Sequence, residues 1–464
     1  MLLAFFAVLL TAAAAVSIKA LNHSSARSQL DRDKLTAAAL AQAKDALIGY
    51  AITYGDIHPG NVHGYLPCPD TSGTDIGGEG SAAGNCGSKN VSAIGRLPWK
   101  TLDLGPLHAG DNECLWYAVS GTYKNNPKTD LMNWDTNGQL QVYASDGITL
   151  LTPADNQAVA VIIAPGTALS GQNRVAGGAP LCGGNYTASN YLDSVGTFNN
   201  ASVSAVANAT SQLRIGDPAL PTSDRMVFIT RQDIWNAMQR RKHFLDTLDN
   251  MTQQAALCIA GFGFKNSLAS NHSLPWPAPL YLTDYTDNAR YNDHENLYAG
   301  RIPYKVNTSQ SPTHNLIGSP YYLLQADGAN CPTPTQWAAV YPWWDNWKDH
   351  LFYAISQRFH PDSSATPTCD SAHCLSVNPG NPGNNAAIVI FANKKLSGKS
   401  RTDKSVVADY LEGRNATNMT GYANGNENYQ AETPTTPPST TFNDIVYCIK
   451  YDLTVVKGTT AGCP

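Results

Sequence analysis

The first 48 residues contain neither glycine nor proline, and this run constrains the fold more than any other feature of the chain. Glycine and proline are the residues least compatible with a helix interior. The run therefore predicts a continuous N-terminal helix over residues 1–54, about 80 Å long at ~1.5 Å per residue. Its character changes near Lys19, since residues 1–18 carry no charge and the following residues are mixed and amphipathic. We expect the apolar half of this helix to lie outside the globular part of the chain, and the amphipathic half to pack on that globular part, the head.

Three interpretations of the apolar segment, residues 1–18, are open. A cleavable secretory signal would place basic residues before its apolar core, and no residue before Lys19 is charged. A permanent membrane anchor needs about 20 apolar residues, and this segment spans ~27 Å as a helix. The third interpretation is a processed membrane helix whose short basic leader has been removed, which would account for the missing charge. We favour the third.

The composition is typical of an extracellular protein. Only 14% of residues are charged, against about 25% in most soluble proteins. The net charge is −5 and the longest basic cluster is Arg240-Arg241-Lys242, so we expect no nucleic-acid partner.

All ten cysteines lie outside the N-terminal helix, and their even number predicts disulfides formed in an oxidising compartment. They are Cys68, Cys86, Cys114, Cys182, Cys258, Cys331, Cys369, Cys374, Cys448 and Cys463. We expect Cys369 and Cys374 to close a small loop, and Cys448 with Cys463 to hold the C-terminus. The other pairs are open. A zinc site at CDSAHC, including His373, is the alternative, but no second pair stands at ligand spacing.

Six short segments recur in the same order in the second half of the chain, which predicts tandem duplication of a unit of about 200 residues. Chance similarity between apolar strands is the alternative. The matched segments are Leu66-Pro67-Cys68-Pro69 with Leu274-Pro275-Trp276-Pro277, residues 95–99 with 300–304, residues 115–120 with 351–356, residues 158–164 and Arg174 with 386–392 and Arg401, Tyr191-Leu192-Asp193 with Tyr410-Leu411-Glu412, and residues 226–229 with 445–448.

The predicted fold class is α+β: a long N-terminal α-helix, apolar then amphipathic, packed on a β-rich, loop-rich head of two tandem related units. The predicted domains are the helix at 1–54, a first head unit at 55–229 and a second at 230–464. A capping box at Thr230 and Asp233 predicts a second helix over residues 231–260. A stripe at steps of three and four is expected to face the head's own sheet; it consists of Leu40, Ala43, Leu47, Ala51 and Tyr54.

The tract ALAQAKDALIGYAITYG, followed by GYLPCPD, GRLPWKTLDL and ECLWYAVSG, resembles proteobacterial prepilin-type proteins. Together with the helix architecture it is similar to type IV pilins and type II secretion pseudopilins. The resemblance implies a subunit that waits in the inner membrane, meets the pilus or secretion assembly machinery, and joins copies of itself in an extracellular helical filament. The residues expected in the filament core are Met1, Leu2, Leu3, Phe5, Phe6, Leu9, Leu10 and Val16.

The chain departs from the pilin pattern at its fifth residue. Pilins usually have glutamate there, where the carboxylate pairs with the N-terminal ammonium of a neighbouring subunit, and this chain has Phe5. Some minor tip pseudopilins with enlarged heads also lack this glutamate. A tip position is therefore an alternative to the filament shaft.

We expect no enzyme, because the sequence contains no HExxH, GxSxG or P-loop motif. A membrane-anchored ectodomain that binds or hydrolyses surface glycans is the second hypothesis. It depends on an aromatic cluster that is either a sugar-stacking platform or, as we favour, core or interface; its members are Trp337, Trp343, Trp344 and Trp347.

No cofactor is expected. Calcium is the alternative, and it would use oxygen ligands from Asp135-Thr136-Asn137-Gly138 or from Asp284, Asp287 and Asp293.

Overall fold

The structure is a computed structural model of mixed α and β content, with one N-terminal helix and a β-rich head. It describes the backbone of residues 2–26, and backbone and side chains of residues 27–74, 77–177, 179–217, 222–265, 272–307, 321–363, 368–378, 383–435 and 439–464. The chain divides into two compact units. The first comprises Met1–His58 and His63–Met238, and the second Pro59–Val62 and Gln239–Pro464. The division thus falls a few residues beyond the boundary expected near residue 230.

The N-terminal helix, α1, runs from Leu2 to Ile57. Its 56 residues make it about 84 Å long. The predicted stripe is confirmed: Leu40, Ala43, Leu47, Ala51 and Tyr54 are all at most 4% exposed. They are buried because successive steps of three and four residues return to the same face of a helix.

The first unit contains an antiparallel core of four strands in the order β1-β2-β4-β8, on which α1 packs through β4 and β8. β3 touches β4 at one residue pair and runs parallel to β7, while β5 and β6 form a separate hairpin. The strands are β1 Ala93–Arg96, β2 Trp116–Val119, β3 Leu140–Tyr143, β4 Ala158–Ala164, β5 Ser194–Val195, β6 Phe198–Asn199, β7 Ser211–Arg214 and β8 Arg225–Thr230. Every residue of β4 is buried, as expected for a central Val/Ile-rich strand.

Two helices follow β8 where the sequence predicts one. They are α2, Arg231–Gln239, and α3, Lys242–Lys265. The predicted capping box is confirmed, since Thr230 N donates to Asp233 Oδ2 (2.9 Å) and Asp233 N to Thr230 Oγ1 (3.2 Å). The expected single helix is wrong, because the helix is interrupted at residues 240–241, just after the first unit ends at Met238.

The second unit contains a five-stranded antiparallel sheet in the order β17-β16-β14-β12-β9. α3 packs on β14 and β16, and α4 packs on α3. The elements are β9 Ala299–Arg301, β10 Lys305–Val306, β11 Tyr321–Tyr322, α4 Pro334–Trp347, β12 Leu351–Ile355, β13 Ser376–Val377, β14 Asn385–Phe391, α5 Gly413–Asn418, β15 Asn428–Tyr429, β16 Ile445–Lys450 and β17 Val455–Lys457.

All ten cysteines form disulfides, which confirms the expected oxidised state. The pairs expected from the sequence, Cys369–Cys374 and Cys448–Cys463, are present. The zinc alternative at CDSAHC is wrong, because both of its thiols are used in a disulfide. The other three pairs, which spacing left open, are Cys68–Cys86, Cys114–Cys182 and Cys258–Cys331.

Within the part of the chain whose side chains are described, no helix has the length and apolar character needed to cross a membrane. The expected membrane segment, residues 1–18, lies outside that part.

Candidate functional site

A buried arginine lies at the end of β1 in the first unit. Arg96 is 2% exposed, and its Nη2 donates to the carbonyl oxygens of Gly183 (3.0 Å) and Asn185 (2.8 Å). Its guanidinium carbon lies 5.0 Å from the ring centroid of Tyr191. Carbonyl dipoles and the face of an aromatic ring therefore stabilise this positive charge.

A second arginine reaches the same ring. The guanidinium carbon of Arg174 also lies 5.0 Å from the Tyr191 centroid. Its Nη1 donates to the Gly166 carbonyl (2.9 Å) and pairs with Glu113 (3.1 Å). Tyr191 thus connects β1 with the loop after β4, and we call Arg96, Arg174 and Tyr191 the first arginine cluster.

A pair of buried carboxyl groups follows this cluster. Asp193 N donates to Asp224 Oδ2 (2.7 Å), and Asp224 N donates to Asp193 Oδ2 (2.8 Å). Asn200 Nδ2 donates to the same Asp224 Oδ2 (2.9 Å). The Oδ1 atoms of both aspartates are buried without a hydrogen-bond partner among the described atoms. Burial, and then the neighbouring Asp193, raise the pKa of Asp224 to about 7.

The second unit contains a similar cluster. Arg301, at the end of β9, places its guanidinium carbon 3.9 Å from the Phe352 centroid and 5.3 Å from the Tyr410 centroid. Arg401 lies 4.8 Å from the Tyr410 centroid, and its Nη2 donates to the Asn393 carbonyl (2.7 Å). Arg301, Arg401 and Tyr410 form the second arginine cluster.

A carboxyl pair also follows the second cluster. Glu412 N donates to Asp444 Oδ2 (3.1 Å), Asn443 N donates to Glu412 Oε2 (3.2 Å), and Asn415 Nδ2 donates to Asp444 Oδ2 (2.9 Å). Glu412 and Asp444 are 4% and 5% exposed. Burial, and then Glu412, raise the pKa of Asp444 well above its usual range.

A buried ion pair adjoins the second cluster. Asp349 is fully buried, with Oδ1 2.9 Å from His350 Nδ1 and Oδ2 accepting from Lys404. Burial by itself raises the pKa of Asp349, but Lys404 and His350 bring that pKa well below its usual range. Arg301 donates to the backbone carbonyls of both Asp349 and Lys404, so it holds the two chain segments together.

The two arginines offer a matched test of these clusters. We expect Arg96→Leu and Arg301→Leu each to lower the free energy of unfolding of their own unit by about 3 kcal/mol, because buried carbonyls lose their donors and a cation–π contact is lost. The exposed Arg27 is the control, and Arg27→Leu should change stability by less than about 0.5 kcal/mol. Hydrogen exchange resolved by peptide gives the loss for each unit. A loss below about 1 kcal/mol at both sites would contradict the role assigned to the clusters.

The tryptophan cluster lies in the interior of the second unit. Trp337, Trp344 and Trp347 are at most 1% exposed and Trp343 is 8% exposed. α4 carries all four, and Phe244 of α3 lies 5.7 Å from Trp343 between ring centroids. This burial favours the core alternative over an exposed sugar platform.

Oxygen atoms of several calcium candidates accept backbone N–H groups. Asn137 Oδ1 accepts from Gln157 N (3.1 Å), Asp284 Oδ1 from Thr286 N (2.8 Å), and Asp287 Oδ1 from Ala289 N (2.9 Å). Within the described ranges, no group of three or more His, Cys, Asp or Glu residues could hold a metal ion.

The filament-core residues lie outside the side chains that the structure describes, and their role remains a prediction. They are Met1, Leu2, Leu3, Phe5, Phe6, Leu9, Leu10 and Val16.

Sequence reasoning found both arginine clusters only as unexplained repeats. It missed the carboxyl pairs, because Asp224 and Asp444 were not among the matched residues. Their one signal is an acidic residue directly before a Val/Ile-containing strand in each half.

Comparison with protein-family models, with curated proteins and with solved structures finds no match for this chain.

Proposed function

We propose that the chain is a structural subunit of an extracellular filament of the type IV pilus kind, assembled from copies of itself. The observation that carries this proposal is the length and continuity of helix α1. Its C-terminal half is fixed to the first unit's sheet, where Lys44 Nζ donates to the Phe228 carbonyl of β8 (2.9 Å). The helix continues without a break to Leu2. The uncharged segment, residues 1–18, is thereby available for the inner membrane before assembly and for the filament core afterwards.

The outward face of α1 also supports a role in packing against a neighbouring subunit. Ala38, Ala41, Gln42 and Asp45 are exposed. In the second unit, by contrast, α4 covers α3, and the Cys258–Cys331 disulfide joins the two regions. Small residues on an uncovered helix face allow another helix to approach closely.

We further propose that the two units arose by tandem duplication. In the first, Gly95 of β1 pairs with Tyr117 of β2, and β2 then pairs with β4. In the second, Gly300 of β9 pairs with Tyr353 of β12, and β12 then pairs with β14. All of these pairings are antiparallel. Independent origin would have to reproduce the same neighbours and the same register.

A side-chain hydrogen bond outside the sheets is also present at equivalent positions in both units. Tyr117 donates its hydroxyl to the Pro67 carbonyl (3.1 Å), and Tyr353 donates to the Pro275 carbonyl (3.0 Å). Both tyrosines are fully buried. A buried hydroxyl needs a partner, and both units supply it from the same proline-rich turn.

The registers also correct part of the alignment made from the sequence. The pairing of β4 with β8 has one register shift near the start of β4, and the pairing of β14 with β16 has one near the start of β14. Counting from these shifts equates Ala158 with Asn385, whereas the sequence alignment gave Ala386. It likewise equates Met226 with Val446, one residue later than the sequence alignment. A slip of one residue reverses which face of a strand is buried, so the registers are the better guide.

The disulfides support an extracellular location. Five pairs hold a chain in which only 14% of residues are charged, and such bonds persist in oxidising environments. We propose that the chain lies in the inner membrane before assembly and at the cell surface afterwards.

Electron microscopy and mass spectrometry of appendages sheared from the cell surface test the filament proposal. The chain is expected as a major component of filaments. Recovery only in membrane fractions would overturn the proposal. The number of copies per filament separates shaft from tip, because a tip subunit, the alternative motivated by Phe5, would be present once per end.

A further inference from the structure

The carboxyl pairs lie where distant parts of each unit meet. Asp193 follows the short 3₁₀ helix Ala188–Asn190, and Asp224 directly precedes β8, 31 residues later. Asp193 and Asp224 are 4% and 1% exposed. In the second unit Glu412 follows the 3₁₀ helix Val407–Asp409, and Asp444 directly precedes β16.

The hydrogen bonds at each junction need carboxyl oxygens as acceptors. In the first unit, Asp193 Oδ2 accepts from Asp224 N and from Ser223 N (2.5 Å), and Asp224 Oδ2 accepts from Asp193 N and Asn200 Nδ2. These bonds occupy one oxygen of each carboxyl group. The other oxygen of each group, Oδ1, is buried and has no donor among the described atoms.

A single proton on each carboxyl pair relieves the repulsion between its two groups. Two ionised carboxylates that are linked through each other's backbone amides in a buried site repel each other. A proton on one of the two groups removes one charge from the buried pair. Glu412 and Asp444 form a similar pair, because Glu412 Oε1 and Asp444 Oδ1 are also buried without a hydrogen-bond partner among the described atoms.

We propose that a single proton held by a pair of buried carboxyl groups closes the junction in front of β8 in the first unit and in front of β16 in the second, and that its loss loosens that junction. The structure thus contains two proton-dependent clips, Asp193–Asp224 and Glu412–Asp444. This inference does not depend on the filament proposal.

Arginines adjoin both clips, and in the second unit the ring centroid of His350 lies 5.4 Å from that of Tyr410, two residues before Glu412. Arg174 and Arg214 lie near the first clip, and Arg214 pairs with Asp217 (3.5 Å). Arg401 donates to the Tyr410 carbonyl (3.2 Å), two residues before Glu412. Arginine stays charged throughout the range of interest. Titration at the first junction is therefore assigned to its carboxyl pair.

The expected pH dependence follows from linkage. A folded carboxyl group that binds its proton more tightly than the unfolded chain makes stability fall as pH rises, until the folded group has lost the proton. For the first clip, the protection of the Asp193 and Asp224 amides should fall about tenfold per pH unit between pH 5 and 7 and then level off. For the second, the fall should continue to higher pH.

Hydrogen exchange of the full chain, corrected for the intrinsic pH dependence of exchange, tests the proposal. Asp224→Asn mimics the protonated group, because its amide accepts at one atom and donates at the other. It should abolish the pH dependence at the first junction and leave the second unchanged, and Asp444→Asn should do the reverse. Wild-type protection independent of pH at both junctions would overturn the proposal, as would an undiminished dependence in both variants.

An infrared measurement keeps the test decisive if a variant fails to fold. The wild-type chain should show the carbonyl band of a buried protonated carboxyl group at pH 6, and the band should weaken as pH rises. Absence of that band at pH 6 would overturn the proposal without any substitution.

Discussion

Substitution of Leu9 by aspartate is expected to abolish filament assembly while the head stays folded. Residue 9 lies in the uncharged segment, residues 1–18. A carboxylate in a hydrocarbon environment costs about 3 kcal/mol even on the most permissive scales, and a filament would incur that cost in every subunit. The head is expected to be unaffected, because its described contacts with α1 begin only near Arg32 and Asp33.

Sheared filaments, counted by electron microscopy and quantified by mass spectrometry, measure this effect. Leu9→Ile is the matched control, because it keeps the apolar character and should keep assembly. Hydrogen exchange of the head peptides checks that Leu9→Asp is folded. Normal filaments from Leu9→Asp would contradict a buried filament core and would favour the membrane-anchored ectodomain.

Removal of the Cys258–Cys331 disulfide is expected to lower the free energy of unfolding of the second unit by about 4 kcal/mol. The two cysteines are 73 residues apart in the sequence and join α3 to the segment before α4. In the chain-entropy account, the cross-link stabilises the fold by restricting the unfolded chain, and it does so more for longer loops. The tested protein is the double variant Cys258→Ser, Cys331→Ser.

The control is the double variant Cys369→Ser, Cys374→Ser, whose cysteines are 5 residues apart. The same account gives about 2 kcal/mol for that loop. Denaturant unfolding followed by hydrogen exchange of second-unit peptides measures both losses separately from the first unit. Equal losses for the long and the short loop would contradict the entropic explanation.

Features that depend on residues close together in the chain were predictable from the sequence, and features that depend on distant residues were not. The buried stripe of α1 and the Thr230–Asp233 capping box were predictable, because each depends on residues within a few turns of one helix. The two disulfides of short separation were also predictable. The break between α2 and α3 was not, because residues 240–241 contain neither glycine nor proline, and the break occurs where the chain passes from one compact unit to the other.

The aromatic cluster shows why burial is hard to judge from residue types. Four tryptophans within eleven residues look the same in sequence whether they form a binding platform or a core. The structure buries them because α4 packs on α3. That packing depends on a pairing of helices distant in the chain, which periodicity within α4 does not specify.

The sequence by itself determined the long helix and its buried face, because absence of helix breakers and hydrophobic periodicity are properties of neighbouring residues. Only the tertiary structure decided the other three disulfide pairings, the ring shared by two arginines in each unit, and the carboxyl pairs. Asp193 and Asp224 are ordinary acidic residues until folding brings them together across 31 positions. Burial then turns two independent charges into a pair that holds one proton.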